Sequence, residues 1–109
     1  MAVFEDFLKL DIRVGEIVSA EPLKKAKKPA YRLLVDFGEE FGIRRSSAQI
    51  TECYRPEELV GRQVLGVVNF PPRLVAGFSS EVLVLGVYAA QGVVLIQPQQ
   101  PVRKGDRLG

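Results

Sequence analysis

Two short apolar runs near the middle of the chain bracket a segment rich in turn-forming residues. The runs cover residues 64–68 and 82–85, and the segment between them contains Pro71 and Pro72. Runs of four or five bulky residues bounded by turn-formers are typical of buried strands. Because proline has no backbone N–H for a neighbouring strand, we expect the strands to end here and residues 69–80 to form a surface loop.

The predicted loop nevertheless carries four large apolar side chains. They are Phe70, Leu74, Val75 and Phe78. Apolar groups of this size on a loop either fold back as a lid over the core or face a binding partner. Both interpretations are open from the pattern alone.

The first residues of the chain have the spacing of a short helix. Phe4, Phe7 and Leu8 stand at positions i, i+3 and i+4, which predicts one or two amphipathic turns. An isolated helix of this length is marginal in water, so it must pack on another surface. It either caps the core of its own chain or contacts a second subunit.

Alternating apolar and polar residues predict several strands. In residues 11–20 the alternation slips at Gly15 and Glu16, which indicates a β-bulge or a sharp bend. Residues 31–38 alternate without a defect, which predicts a strand with one buried face. That face consists of Tyr31, Leu33, Val35 and Phe37.

Residues 41–50 predict a further strand that is unusually polar. It presents Arg44, Arg45, Ser46 and Ser47, with little bulk. Such a surface suits contact with phosphate, sugar or backbone amides, but ordinary exposed edge strands have a similar composition. Further on, Pro56 followed by two glutamates predicts a helix start, and residues 87–89 and 93–96 predict a hairpin.

The order of these elements predicts a mainly all-β fold in one domain over residues 1–109. About six short strands, a bent first strand and a helix between the third and fourth strands favour a five-stranded Greek-key barrel of the OB type with added C-terminal strands. Barrels of this type commonly bind oligonucleotides on their middle strands and in the flanking loops.

Composition excludes several classes of function. The chain of 109 residues contains 47% apolar residues, no histidine and one cysteine, Cys53. Without histidine there is no Ser-His-Asp or Cys-His catalytic set, and one cysteine cannot build a zinc site. Phosphate-binding glycine motifs are absent too. We therefore expect neither an enzyme nor a bound cofactor or metal.

The same composition suggests where the protein works. No stretch approaches the length of a membrane span, and the N-terminus lacks the basic-then-apolar order of a signal peptide. A single cysteine cannot form an internal disulfide, so a reducing cytoplasm is the simplest setting. We expect a cytoplasmic protein without membrane insertion.

Positive charge is concentrated in one part of the chain. The whole chain has a net charge of +2, but residues 22–50 carry seven basic residues against three acids, which gives this segment +4. Four of the seven stand in a proline-bounded loop, and three lie on predicted strands. They are Lys24, Lys25, Lys27 and Lys28 in the loop, and Arg32, Arg44 and Arg45 on the strands. The lysine loop either keeps the protein soluble or contacts the phosphates of a polyanion.

A series of motifs in order gives a specific resemblance. They are D-I-R-V-G at 11–15, S-S-A-Q-I at 46–50, P-E-E-L-V-G at 56–61, and V-V-N-F-P-P-R at 67–73 followed by S-E-V-L-V-L-G. The chain resembles the tRNA-binding domain family, which includes C-terminal domains of methionyl-tRNA synthetases and EMAP-II-like cofactors. Within that family the resemblance is to the CsaA type, whose members are described as export-related chaperones.

The resemblance implies an OB fold, a homodimer and tRNA binding. The CsaA type adds binding of unfolded or precursor proteins without ATP, in connection with export machinery. Asn69, Arg73, Gly77 and Ser80 match the motif that begins at this asparagine in the tRNA-binding relatives, and the resemblance implies tRNA contact by Asn69, Arg73 and Ser80. Glu81 stands where relatives have glutamine; it could accept a hydrogen bond from a ligand or from its own loop backbone.

This chain also departs from the family pattern. Pro71, Leu74 and Ala76 stand where relatives often have lysine or arginine. We therefore expect weaker tRNA binding, carried by the lysine loop and the strand arginines. The same replacements make residues 69–80 more apolar, which suits an extended peptide. Whether tRNA or peptide is the principal ligand stays open, and both hypotheses require the basic groups and the proline-rich segment to converge on one side of the barrel.

Overall fold

The computed structural model describes all 109 residues, and nearly all of its regular structure is β. Two short helices, α1 and α2, interrupt nine strands. The helices are α1 Phe4–Leu8 and α2 Pro56–Leu59; the strands are β1 Ile12–Pro22, β2 Tyr31–Asp36, β3 Ile43–Ala48, β4 Gln63–Val67, β5 Arg73–Val75, β6 Phe78–Ser80, β7 Leu83–Val84, β8 Gly86–Ala89 and β9 Gly92–Leu95.

Five of the strands form one antiparallel sheet in the order β3-β2-β1-β4-β7. The long strand β1 belongs to both halves of this sheet, because Ile12–Glu16 pairs with β4 and Glu16–Pro22 pairs with β2. The sheet therefore curls into a nearly closed barrel, which confirms the predicted OB-like fold. Two hairpins, β5–β6 and β8–β9, are additions to it.

The irregularity in β1 is not where the sequence pattern placed it. The register shift lies between Ile17 and Ser19, so the prediction of a bulge at Gly15 and Glu16 is wrong. Gly15 serves close packing instead. A Cβ at this position would lie 2.5 Å from Cγ1 of Val35 and 2.8 Å from the ring of Phe37, which leaves no room for a side chain.

The barrel closes through side chains as well as backbone. The edge of β3 meets residues 80–82, and the Arg45 carbonyl accepts hydrogen bonds from the N–H groups of Glu81 (2.8 Å) and Val82 (3.3 Å). In return, the Arg45 N–H donates to Oε1 of Glu81 at 2.9 Å, and the Ser47 N–H donates to Oγ of Ser80 at 3.0 Å. These two side chains replace the backbone acceptors that a longer closing strand would supply.

The interior of the barrel contains the face predicted from residues 31–38. Tyr31, Leu33, Val35 and Phe37 are all buried, together with Leu59 of α2. A second, smaller cluster lies outside the barrel, on β1 and β4, where the C-terminal segment covers it. That segment is tied to β1 by N–H to carbonyl bonds in both directions and by a bridge between residues 13 and 107.

Residues 69–80 form ordered structure where a surface loop was expected. Strands β5 and β6 make a hairpin with a two-residue turn at Ala76 and Gly77, both of which have positive φ. Paired positive φ values are the geometry of the tightest hairpin turns. The loop prediction is therefore wrong, although β4 does end before the two prolines. Leu74 is 75% exposed and Phe70 is 42% exposed, so the lid interpretation is wrong for both.

The N-terminal helix is present but does not cap the core. None of its residues is buried, and Phe4 is 69% exposed. The core-cap interpretation is therefore wrong, and the contact with a second subunit remains. The predicted helix at Pro56 and the predicted C-terminal hairpin are both confirmed. Neither helix is long and apolar enough to cross a membrane.

The closing bond at Glu81 can be tested by acid titration of stability. We expect Glu81→Ala to lower the free energy of unfolding by about 1–2 kcal/mol at neutral pH, because it leaves the Arg45 N–H without its acceptor. That N–H, together with the Arg45 guanidinium, holds the pKa of Glu81 below its usual value. The contribution is thus complete above the ordinary glutamate pKa and is lost as pH falls through the lower folded value.

Urea unfolding of the unchanged protein and of Glu81→Ala, from neutral to acidic pH, measures the difference between their free energies of unfolding. This difference should become smaller as the pH falls. Glu40→Ala is the matched control, since Glu40 is exposed in the turn between β2 and β3 and makes no hydrogen bond or ion pair. Equal stability of the two variants at neutral pH would contradict the closing role.

Candidate functional site

A groove of about 840 Å³ lies where four parts of the chain meet. The parts are the lysine loop, the end of β3, the β5–β6 hairpin and the strands β7 to β9. The aliphatic side chains that line it, which we call the apolar floor, come from all four parts, and the larger of them come from the last three. The larger ones are Ile50, Val75, Leu83, Leu85, Val93 and Leu95.

The groove is lined by positive charge without any negative charge. Its basic rim consists of Lys25, Lys27, Lys28 and Arg73, and no aspartate or glutamate is among the lining residues. None of these four side chains forms an ion pair or a hydrogen bond within the chain. Their charge is therefore free to meet an anionic ligand. Lys24 belongs to the same loop but does not line the groove.

The strand arginines, unlike the rim cations, donate hydrogen bonds within the chain. Arg32 donates from Nε to Glu21 at 3.2 Å, and Arg45 donates from Nε to Glu81 at 3.3 Å. The hydrogen bond from Arg32 lowers the pKa of Glu21, as expected for a carboxylate that accepts from a cation. Arg44 donates to the carbonyl of Phe41 at 2.8 Å. None of the three lines the groove, although Arg32 pairs in register with Ser47, which does line it. The lysine loop and Arg73 both contribute to the groove itself.

Four of the predicted tRNA-contacting residues carry structural hydrogen bonds or are buried. The side chain of Asn69 accepts from the Asp11 N–H at 2.9 Å and donates to the Lys9 carbonyl at 2.8 Å, which ties the end of α1 to the end of β4. Ser46 is fully buried, and Ser80 is 8% exposed. Glu81 accepts from the Arg45 N–H of β3, so its structural bond is not to its own loop backbone as predicted. Ser47, by contrast, lines the groove.

Only one of the four predicted peptide-binding residues lines the groove. Val75 lines the groove, whereas Phe70, Leu74 and Phe78 do not. Sequence reasoning missed the contribution of the C-terminal strands, above all Tyr88, which lines the groove and is 95% exposed. Its place in the predicted C-terminal hairpin was the available signal.

A second cavity of about 610 Å³ lies beneath the C-terminal segment. Its charged residues are Asp106 and Arg107, so it has no excess of either sign. The four unpaired cations make the larger groove the candidate site. No group of three or more histidine, cysteine, aspartate or glutamate side chains is placed to hold a metal ion.

Comparison with known proteins gives the same family at the levels of sequence and structure. The family model described as "Putative tRNA binding domain" matches residues 12–107. The methionine–tRNA ligase of Methanococcoides burtonii is 44% identical over 106 residues, which is 96% of this chain and 15% of the ligase. The chain thus spans about 15% of the length of that relative.

Solved structures of small proteins match over their whole length. The chaperone CsaA of Bacillus anthracis is 55% identical with a TM-score of 0.93, covering 100% of this chain and 99% of that one. A CsaA chaperone protein of Picrophilus torridus is 46% identical with a TM-score of 0.96, covering 100% of both chains. These matches, with the family model over nearly all of the barrel, show that the chain belongs to the tRNA-binding domain family as a protein of the CsaA type.

Proposed function

We propose that this protein binds tRNA through the basic rim of the groove. The observation that supports it is the convergence of Lys25, Lys27, Lys28 and Arg73 without any carboxylate partner. Neutralising RNA phosphates releases condensed counterions, and unpaired lysines can do this without giving up an existing bond. Arg32 and Arg45 would first have to leave Glu21 and Glu81, so we assign them a smaller part.

Recognition by this rim favours phosphate positions and overall shape over base sequence. Tyr88 is the only aromatic side chain among the lining residues, so an extended stacking platform is absent. Asn69, Ser46, Ser80 and Glu81 act, in this proposal, by holding the barrel and its hairpin in place. The protein acts in the cytoplasm, where its tRNA ligand is.

Removal of the rim charges should weaken tRNA binding in a salt-dependent way. We expect the triple variant K25Q/K27Q/K28Q to bind tRNA at least about tenfold more weakly at moderate salt, and the slope of log affinity against log salt to fall by about 2–3. A filter-binding titration at several salt concentrations measures both quantities.

The control has the same net charge as the triple variant. K9Q/R55Q/R103Q removes three positive charges from residues that do not line the groove. It should keep most of the affinity and slope of the unchanged protein. If the two triple variants lose affinity equally, total charge rather than the rim governs binding.

We further propose that two copies associate through α1. Phe4, Phe7 and Leu8 are all exposed, although an amphipathic helix of this length requires a surface to pack on. A symmetric dimer would cover this face and present two grooves. Two grooves that reach the same folded RNA would raise the affinity beyond that of either alone.

Polar substitution on α1 should separate the copies. Phe4→Ser/Leu8→Ser should sediment as a monomer of 12.1 kDa at micromolar concentration, whereas the unchanged protein should sediment at twice that mass. Ile43→Ser/Val60→Ser is the matched control, because both residues are exposed and apolar but lie outside α1. A monomeric unchanged protein would refute the dimer.

The apolar floor favours a second function, the binding of unfolded or precursor proteins without ATP. An aliphatic floor of this size offers nothing specific to RNA phosphates, but it suits apolar peptide side chains. We propose that such clients include proteins destined for export, as the CsaA-type resemblance implies. This function and tRNA binding would share the basic rim.

A pair of leucine variants distinguishes the floor from the hairpin surface. Leu83→Ser changes the floor, whereas Leu74→Ser changes an exposed residue that lies outside it. We expect only Leu83→Ser to reduce suppression of aggregation of a denatured client, measured by light scattering without ATP. Loss of suppression in Leu74→Ser instead would move the peptide site to the outer face of the hairpin. Thermal melts confirm that both variants are folded.

A further inference from the structure

The groove combines an aliphatic floor with charge of one sign. We propose that it selects extended peptide segments in which carboxylates accompany apolar side chains, and that it rejects basic segments. This selectivity rests on the client-binding function proposed above and specifies its ligand. It follows from the charges of the folded chain, in which the rim cations have no partner and no carboxylate lines the groove.

The floor supplies affinity without choosing a charge. Val75, Leu85, Val93 and Leu95 are only partly covered by their own chain, so an apolar side chain of a ligand would remove further apolar surface from water. They come from two strands, β5 and β9, and from the residue between β7 and β8, which gives the floor width in more than one direction. Aliphatic contacts of this kind discriminate weakly between peptide sequences.

The basic rim supplies the selectivity. Lys25, Lys27 and Lys28 stand on a loop whose base is held by a hydrogen bond from the Leu23 N–H to the Ala30 carbonyl at 2.9 Å. Arg73 comes from a separate hairpin, and its guanidinium can donate two parallel hydrogen bonds to one carboxylate. A peptide with glutamates or aspartates between its apolar residues would meet these groups.

A basic peptide finds no compensating group among the lining residues. No carboxylate lines the groove, and Glu21 and Glu81 form ion pairs with arginines; Glu52, which lies beside Gly92 of β9 but does not line the groove, is a nearby acid without such a partner. Like charges brought together at an interface exclude a wrong partner more strongly than missing contacts do. The positively charged start of a secretory signal peptide is therefore disfavoured, and acidic or neutral segments of the same precursor are preferred.

Peptide fits the floor better than nucleic acid does. Bases in single-stranded RNA bind chiefly by stacking on aromatic side chains, and Tyr88 is the only one present. RNA phosphates and peptide carboxylates would nevertheless use the same four cations. The two ligands should therefore displace each other, so that tRNA limits access of acidic clients to the groove.

Three matched peptides test the selectivity with the full chain. Each carries the same leucines and valines at alternate positions, with glutamate, glutamine or lysine between them, and a fluorescent label for anisotropy. We expect the glutamate peptide to bind at least about tenfold more tightly than the lysine peptide, with the glutamine peptide between them. Unlabelled tRNA should displace the glutamate peptide.

Variants connect that order of affinities to the groove. K25Q/K27Q/K28Q should reduce the preference for glutamate several-fold, R73Q should reduce it less, and K9Q/R55Q/R103Q should leave it in place. Leu83→Ser should weaken all three peptides by a similar factor. A preference that survives both rim variants, or peptide binding that Leu83→Ser leaves unchanged, would overturn the assignment to the groove.

The remaining outcomes separate this inference from the function on which it rests. If the three peptides bind equally, the charge selectivity is wrong and client binding stands. If no peptide binds while tRNA does, the groove serves RNA alone, and both the selectivity and the client function are wrong.

Discussion

The arrangement of this protein depends on how the barrel closes between β3 and residues 80–82. The strands there are too short to complete a backbone ladder, and the side chains of Ser80 and Glu81 supply the missing acceptors for Ser47 and Arg45. This closure also fixes the β5–β6 hairpin, which ends at Ser80. Arg73 and Val75 are thereby held beside the lysine loop and the C-terminal strands. The closing bonds and the groove therefore share the β5–β6 hairpin.

Ion pairs within the folded chain decide which charges are free. Glu21 accepts from Arg32 across β1 and β2, and Glu81 accepts from Arg45 at the closure; these bonds hold the pKa of both carboxylates below the usual value. Two of the strand arginines are thus paired with carboxylates, while the four rim cations have no partner. Net charge along the sequence, +4 over residues 22–50, does not distinguish the two groups. Pairing in the folded chain distinguishes them, because the strand arginines are hydrogen-bonded within the chain and the groove-lining lysines are free to contact a ligand.

The parts of the fold that depend on local pattern were predictable. The alternation in residues 31–38 gave the buried face, and the order of motifs identified the family. What failed depends on contacts between distant residues. Arg45 and Glu81 are 36 positions apart, so no local pattern reveals that they pair. The Ala76-Gly77 turn was not predicted, because Pro71 and Pro72 indicated a loop over the whole segment. A bulge at Gly15 was likewise a wrong prediction, because the Phe37 ring that excludes a side chain there belongs to a distant part of the chain.

In the function proposed above, one groove serves two ligands whose affinities respond differently to solution conditions. Phosphates contact only the basic rim, and their binding is weakened steeply by salt through counterions. An apolar peptide also contacts the floor, whose contribution does not depend on charge. Rising salt therefore removes most of the affinity for RNA and only part of the affinity for an acidic, apolar peptide. The balance between the two ligands is set by ionic strength as well as by their concentrations, which follows directly from unpaired cations placed around an aliphatic floor.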